Sequence, residues 1–113
     1  MIIEGSKKFL IANGKEMKIL SLNEIAYLEA DGNYTNVITI SSKKYVSIRK
    51  IREFENTLPE ENFLRVHNSY IVNLTYVNKF FVESECQIEM ENGDIVPVSR
   101  RKKTTFLSRF QKI

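Results

Sequence analysis

The sequence holds one cysteine, one histidine, two prolines, four glycines and no tryptophan in 113 residues. A lone Cys86 cannot close an intramolecular disulfide, and a single His67 leaves no cluster spaced for zinc. A nucleophile needs an adjacent base held by a third group, and no serine or cysteine motif beside His67 supplies one. Four glycines form neither a P-loop nor a dinucleotide-binding pattern. The longest apolar runs, such as Phe9 to Ala12, fall far short of the ~18 residues needed to span a bilayer. The expectation is a cytoplasmic chain that is not an enzyme, with no metal, no cofactor, no membrane and no small-molecule substrate.

Acid is also missing from two stretches. After Asp94 there is none, while Arg100, Arg101, Lys102, Lys103, Arg109 and Lys112 carry six positive charges. The rest of the chain then holds 11 basic against 14 acidic residues. Lys43, Lys44, Arg49, Lys50 and Arg52 form another acid-free stretch, earlier in the chain. Two basic segments on a mildly acidic body fit a polyanion-binding face, although two solvated helix faces would give the same count. What remains is ordinary: 42% hydrophobic and 27% charged residues match globular averages. The length suits a single domain over residues 1–113 with one core.

Turn signals divide the chain into short strands. Phe9–Ala12 and Met17–Leu20 flank Asn13-Gly14, a pair suited to a tight hairpin turn. Ser21 to Glu24 has capping-box spacing for one helical turn, and Ala26–Ala30 reads as a buried strand. Beyond the loop Asp31-Gly32-Asn33, the β-branched run from Tyr34 to Ile40 predicts another strand, and Tyr45-Val46 a short one. Ile48, Ile51, Phe54 and Leu58 recur at helical spacing, with Ser47 as a cap and Pro59 past the end. Phe63–Val66, Tyr76–Val82 and Gln87–Met90 are further strand candidates, and Asn92-Gly93 turns into Ile95–Val98. Ser99 then caps a last helix whose Phe106, Phe110 and Ile113 share a stripe beside Leu107, with Phe106, Leu107 and Phe110 read as core. This order points to a mostly-β, sandwich-like domain with helices at its edges.

Three separated segments place nucleic-acid-competent side chains at loops or helix starts: Asp31 to Asn36, Arg65 to Tyr70, and Val98 to Lys103. Amide side chains such as Asn36 and Asn68 both donate and accept, which suits base edges, and Arg100 can bind guanine or phosphate through two parallel bonds. The run Phe63-Leu64-Arg65-Val66-His67-Asn68-Ser69-Tyr70-Ile71-Val72-Asn73 resembles the signature of LytTR DNA-binding domains. Ile25–Ala30 with Asn33-Tyr34, and Val96 to Arg100, flank it in the family's order over about Asn13 to Phe110.

That resemblance implies an elongated stack of small antiparallel sheets with two short helices, its loops entering successive major grooves of promoter DNA. It implies DNA-contacting roles for Thr35, Asn36, Asn68 and Arg100. Arg101, Lys102 and Lys103 join them as residues expected to meet phosphates. His67 reads as structural, ordering its loop. Arg65 is either a phosphate contact or a partner of Glu60 or Glu61, and Cys86 is a small hydrophobe. Paired copies on repeated half-sites are expected, because one small module buries little surface on DNA. Family members usually follow a receiver domain, for which 113 residues leave no room, so a free-standing regulator and an excised output domain both stay open. A protein-interaction module and an RNA-binding domain are the rival readings.

Overall fold

The computed structural model describes residues 8–83 and 86–113. Ten strands and two short helices follow one another: β1 (Lys8–Ala12), β2 (Met17–Ser21), β3 (Ile25–Asp31), β4 (Tyr34–Thr39), β5 (Lys44–Ser47), α1 (Ile51–Thr57), β6 (Phe63–His67), β7 (Tyr70–Asn73), β8 (Val77–Phe81), β9 (Gln87–Met90), β10 (Ile95–Pro97) and α2 (Lys103–Leu107). The strands form three antiparallel sheets: the hairpin β1-β2, a five-stranded sheet in the order β5-β4-β3-β7-β6, and a three-stranded sheet in the order β10-β9-β8.

Alternation along the central strands decides the layering, because successive side chains leave a strand on opposite faces. Leu28, Val37 and Ile71 pack with Ile11 and Leu20 of the hairpin and with Ile51, Phe54 and Leu58 on and just after α1. On the other face Val66 and Val72 pack with Ile88, Met90 and Val96 of the three-stranded sheet and with Val98 and Phe106. The five-stranded sheet is therefore the middle layer between two cores. Each fully buried aliphatic side chain adds about 1.5–3 kcal/mol of transfer free energy to that arrangement. A stack of small sheets replaces the two-sheet sandwich that strand spacing alone suggests, and agrees with the family resemblance.

Turn chemistry acts as the sequence predicts at both hairpins. Gly14 has φ +93° while the Asn13 side-chain oxygen accepts from the amides of Lys15 and Glu16 at 2.9 and 3.1 Å. Gly93 has φ +94°, and Asn92 repeats the device on the amide of Asp94 at 3.0 Å. Glu24 reaches back to the amide of Ser21 at 2.9 Å, so its half of the capping box closes a single 3-10 turn over Leu22–Glu24.

Four expectations are corrected. Strand β7, absent from the sequence reading, sits between β3 and β6, and its Asn68-Ser69 turn lacks the glycine that marks the β1-β2, β3-β4 and β9-β10 turns. Helix α1 starts at Ile51 and leaves Ile48 57% exposed. Ser47 caps nothing: its hydroxyl accepts from the Arg49 amide at 3.1 Å, and Glu53 instead takes the Lys50 amide at 3.1 Å. At the other end of the chain, α2 ends at Leu107, so the stripe runs out and only Phe106 is buried, while Leu107, Phe110 and Ile113 are exposed.

Candidate nucleic-acid interface

The register brings the three sequence segments to one end of the central sheet. The β3-β4 turn and the β6-β7 turn both close there, since Asp31 pairs with Tyr34 and His67 with Tyr70. A 2.8 Å bond from the Ala30 amide to the Ser69 carbonyl ties the two turns together. The third segment joins through the Ser99 amide, which donates to the Val66 carbonyl at 2.9 Å. A fourth group arrives from the opposite edge, because the Thr35 hydroxyl donates to the Arg49 carbonyl at 2.7 Å. Five strands at about 4.8 Å spacing make this end roughly 19 Å wide, enough to cross a DNA groove from phosphate to phosphate.

Arg100 and Arg101 are exposed, Lys102 and Lys103 half-buried, and none of the four makes an ion pair among the described residues. Arg100 to Lys102 form a 3-10 turn that continues into α2, and Phe106 pins this arm by packing on Phe80 with ring centroids 5.6 Å apart. Asn68 is exposed at the tip of its turn, and the Arg101 guanidinium donates to its side-chain oxygen at 3.4 Å. Asn68 and the arginine cluster thus form one contiguous surface. Ser99 does not cap that turn: its hydroxyl is buried without a hydrogen bond, while its carbonyl already accepts from the Lys102 amide at 3.0 Å.

Thr35 and Asn36 are placed differently from the expectation that they face DNA. They are 0% and 5% exposed, and their polar atoms are used inside the protein. Thr35 holds the Arg49 carbonyl, and the Asn36 amide donates to Glu29 at 3.2 Å. In this conformation neither side chain reaches an outside ligand. The exposed residues of that turn are Asp31, Gly32, Asn33 and Tyr34.

His67 orders its loop as its sequence context suggests. Its Nδ1 accepts from the Ser69 amide at 3.0 Å, and its ring meets Tyr70 edge-on at 5.6 Å. Arg65 pairs with Glu55 at 2.9 Å, not with Glu60 or Glu61, and also donates to the Asn68 carbonyl. Glu60 and Glu61 instead offer their carbonyls to Arg109.

The basic stretch at residues 43–52 is split. Lys43 and Lys44 lie at the far end of β4-β5, where Lys44 pairs with Ile38, while Arg49 and Lys50 lie at the end of the β3-β4 turn. Sequence reasoning found these charges but had no means to assign them to opposite ends. Arg49 is held by Glu53 at 2.8 Å. The Lys50 amide, and then Arg49, hold the Glu53 carboxyl below its usual range. Among the described residues no group of three metal-ligating side chains occurs, and no helix is long and apolar enough to cross a membrane.

A mostly antiparallel domain that gathers two turns and an arginine-rich arm at one sheet end defines a β-rich nucleic-acid-binding module. The model of the LytTr DNA-binding domain matches residues 15–111, and the chain belongs to that family. It is 35% identical over 101 residues to the CO-responsive transcriptional regulator RcoM of Rhodospirillum rubrum, covering 87% of this chain and 42% of that protein. It is 30% identical over 98 residues to the sensory transduction protein LytT of Bacillus subtilis, covering 85% of this chain and 40% of LytT. The chain therefore spans about two fifths of the length of these relatives. A solved LytTr DNA-binding domain from a Bacillus cereus response regulator superposes with a TM-score of 0.81 at 25% identity, covering 93% of this chain and 97% of that one.

Proposed function

We propose that this chain binds double-stranded promoter DNA sequence-specifically through the sheet end described above, and so regulates transcription in the cytoplasm. The observation that carries the reading is the contact of Asn68 with Arg101, next to Arg100 on an exposed turn that the Ser99-to-Val66 bond ties to the sheet. Asn68 and Arg100 read base edges, since an amide and a guanidinium can each make paired hydrogen bonds there. Arg101, Lys102 and Lys103 neutralise phosphates, with Arg49 and Lys50 at the opposite edge of the same end. Binding, not catalysis, is the activity.

A module of this size buries about 600–1,000 Å² on DNA, which favours two copies on half-sites one or two helical turns apart. The names of RcoM as a transcriptional regulator and LytT as a sensory transduction protein support a role as the output of a signal-responsive regulator.

Selection of bound duplexes from a random pool, at physiological salt, tests the proposal. An enriched repeated motif is expected, and its recovery should weaken with Arg100→Ala. Salt-sensitive retention with no enriched sequence would replace the reading with a protein-interaction module whose basic end meets an acidic partner.

A further inference from the structure

Glu29 sits half-buried in the middle strand of the central sheet, close to a surface that would meet a polyanion. A carboxylate there repels DNA, so its presence calls for a physical cause. Among the described residues no cation pairs with it, and its partners are neutral side chains. One oxygen accepts from the Asn36 amide at 3.2 Å and the other from the Tyr70 hydroxyl at 2.9 Å. Asn36 and Tyr70 are its direct cross-strand neighbours on β4 and β7. A single carboxylate thus bridges three adjacent strands.

The chain of contacts continues to the surface. The Tyr70 ring packs against His67, and His67 fixes the Ser69 amide within the turn that presents Asn68. The carbonyl of the same Ser69 is held by Ala30, the residue after Glu29. Arg101 closes the series on the Asn68 side chain. Burial, and then the bond to Glu29, push the Tyr70 phenol above its ordinary range. Hydrogen bonds to a charged acceptor are among the stronger ones, and a connected polar network of this kind favours one geometry over its alternatives.

We propose that Glu29 is a positioning residue for DNA recognition: by bridging Asn36 and Tyr70 it orients the Asn68 turn and thereby sets sequence discrimination, without contributing to overall attraction for DNA. The inference rests on the DNA-binding reading above. Because the mutated residues are separate from the phosphate-facing lysines, and Arg101 keeps its charge in every variant, the two properties should come apart on mutation.

The test compares Kd for the selected duplex and a scrambled one, at several salt concentrations, for wild type, Glu29→Ala, Tyr70→Phe and Glu29→Gln. Glu29→Ala and Tyr70→Phe should lower the scrambled-to-selected Kd ratio about five- to tenfold, the scale of one displaced base contact, while the salt slope on scrambled DNA holds. Glu29→Gln should stay within about twofold of wild type. Its oxygen still accepts from Tyr70, and its nitrogen can donate to a turned Asn36 amide. Tyr70→Phe removes one hydroxyl and carries the test if Glu29→Ala does not fold. An unchanged ratio in Tyr70→Phe, or an equal loss in Glu29→Gln, overturns the proposal. A wild type that selects no sequence overturns the DNA-binding reading itself.

Discussion

The two acid-free basic stretches are alike in sequence and unlike in the fold. Residues 43–52 are divided between opposite ends of β4-β5, and Arg49, at the end of the β3-β4 turn, is engaged by Glu53. Residues 100–103 stay together, make no ion pair among the described residues, and are anchored from beneath by Phe106. The number of charges is similar, five against four, but the charge available to a ligand is not. Available charge depends on strand register and on acidic neighbours brought in by a helix start, neither of which a count of lysines and arginines contains.

The largest break in this comparison should come from the anchor. Phe106 is 1% exposed, so Phe106→Ala should cost about 3–5 kcal/mol in a denaturant titration, and the C-terminal arm should lose its DNA contacts with it. Ile48, 57% exposed beside the first stretch, is the control: Ile48→Ala should stay within about 0.5 kcal/mol. Equal costs would mean that the C-terminal arm is not docked as described.

The next effect is on binding. If Arg100 pairs with a base edge, Arg100→Ala should cost about 1–3 kcal/mol on the selected duplex and relax the preference at one position. Lys102→Ala should weaken selected and scrambled duplexes alike and lower the salt slope by about one. A uniform loss in Arg100→Ala would turn Arg100 into a phosphate contact and move base reading to Asn68 and the exposed turn.

How much of this was legible beforehand follows from the range of each interaction. Hairpins announced by Asn13-Gly14 and Asn92-Gly93 are set within a few residues, and they form where the sequence places them. The structural role of His67 was legible because its ordering contacts, to Ser69 and Tyr70, are local. The burial of Thr35 and Asn36 was not legible for the opposite reason. Their burial is caused by Arg49 from the strand-to-helix loop and by Glu29 from the neighbouring strand, partners fixed only by the register of the sheet. Glu29 itself gave no sequence signal beyond its place in a strand. The Arg65 partner was misassigned because Glu55 lies 10 residues away on a helix whose facing depends on tertiary packing.

A smaller effect would sharpen the contrast between the stretches. Arg49→Ala should lower the salt slope by less than Lys102→Ala does, because Glu53 already neutralises it. Glu53→Gln should free Arg49 and raise the slope toward that of the second stretch. The Glu53 carboxyl is lowered in the fold, so its stabilisation is present above the ordinary value of 4.5 and is lost as pH falls through the lowered value. Thermal melts of wild type and Glu53→Gln should therefore differ most near neutral pH and converge in acid. A gap that widened in acid would contradict the assigned hydrogen bonds.

The smallest effect is expected at Ser99, where the second stretch begins. A serine in this position ordinarily stabilises a helix start by about 1 kcal/mol, so a working cap would make Ser99→Ala clearly destabilising. Here the hydroxyl is buried and unpartnered, and the turn is closed by backbone bonds from Ser99 to Val66 and from Lys102 to Ser99. Removing an unsatisfied buried hydroxyl relieves its desolvation cost, so Ser99→Ala should leave stability unchanged or slightly raised in a denaturant titration. Affinity for the selected duplex should hold as well, since the backbone that aims Arg100 is untouched. A loss of about 1 kcal/mol would instead show the side chain capping the turn, and the free arm would then owe its geometry to Ser99 as the clamped stretch owes its own to Glu53.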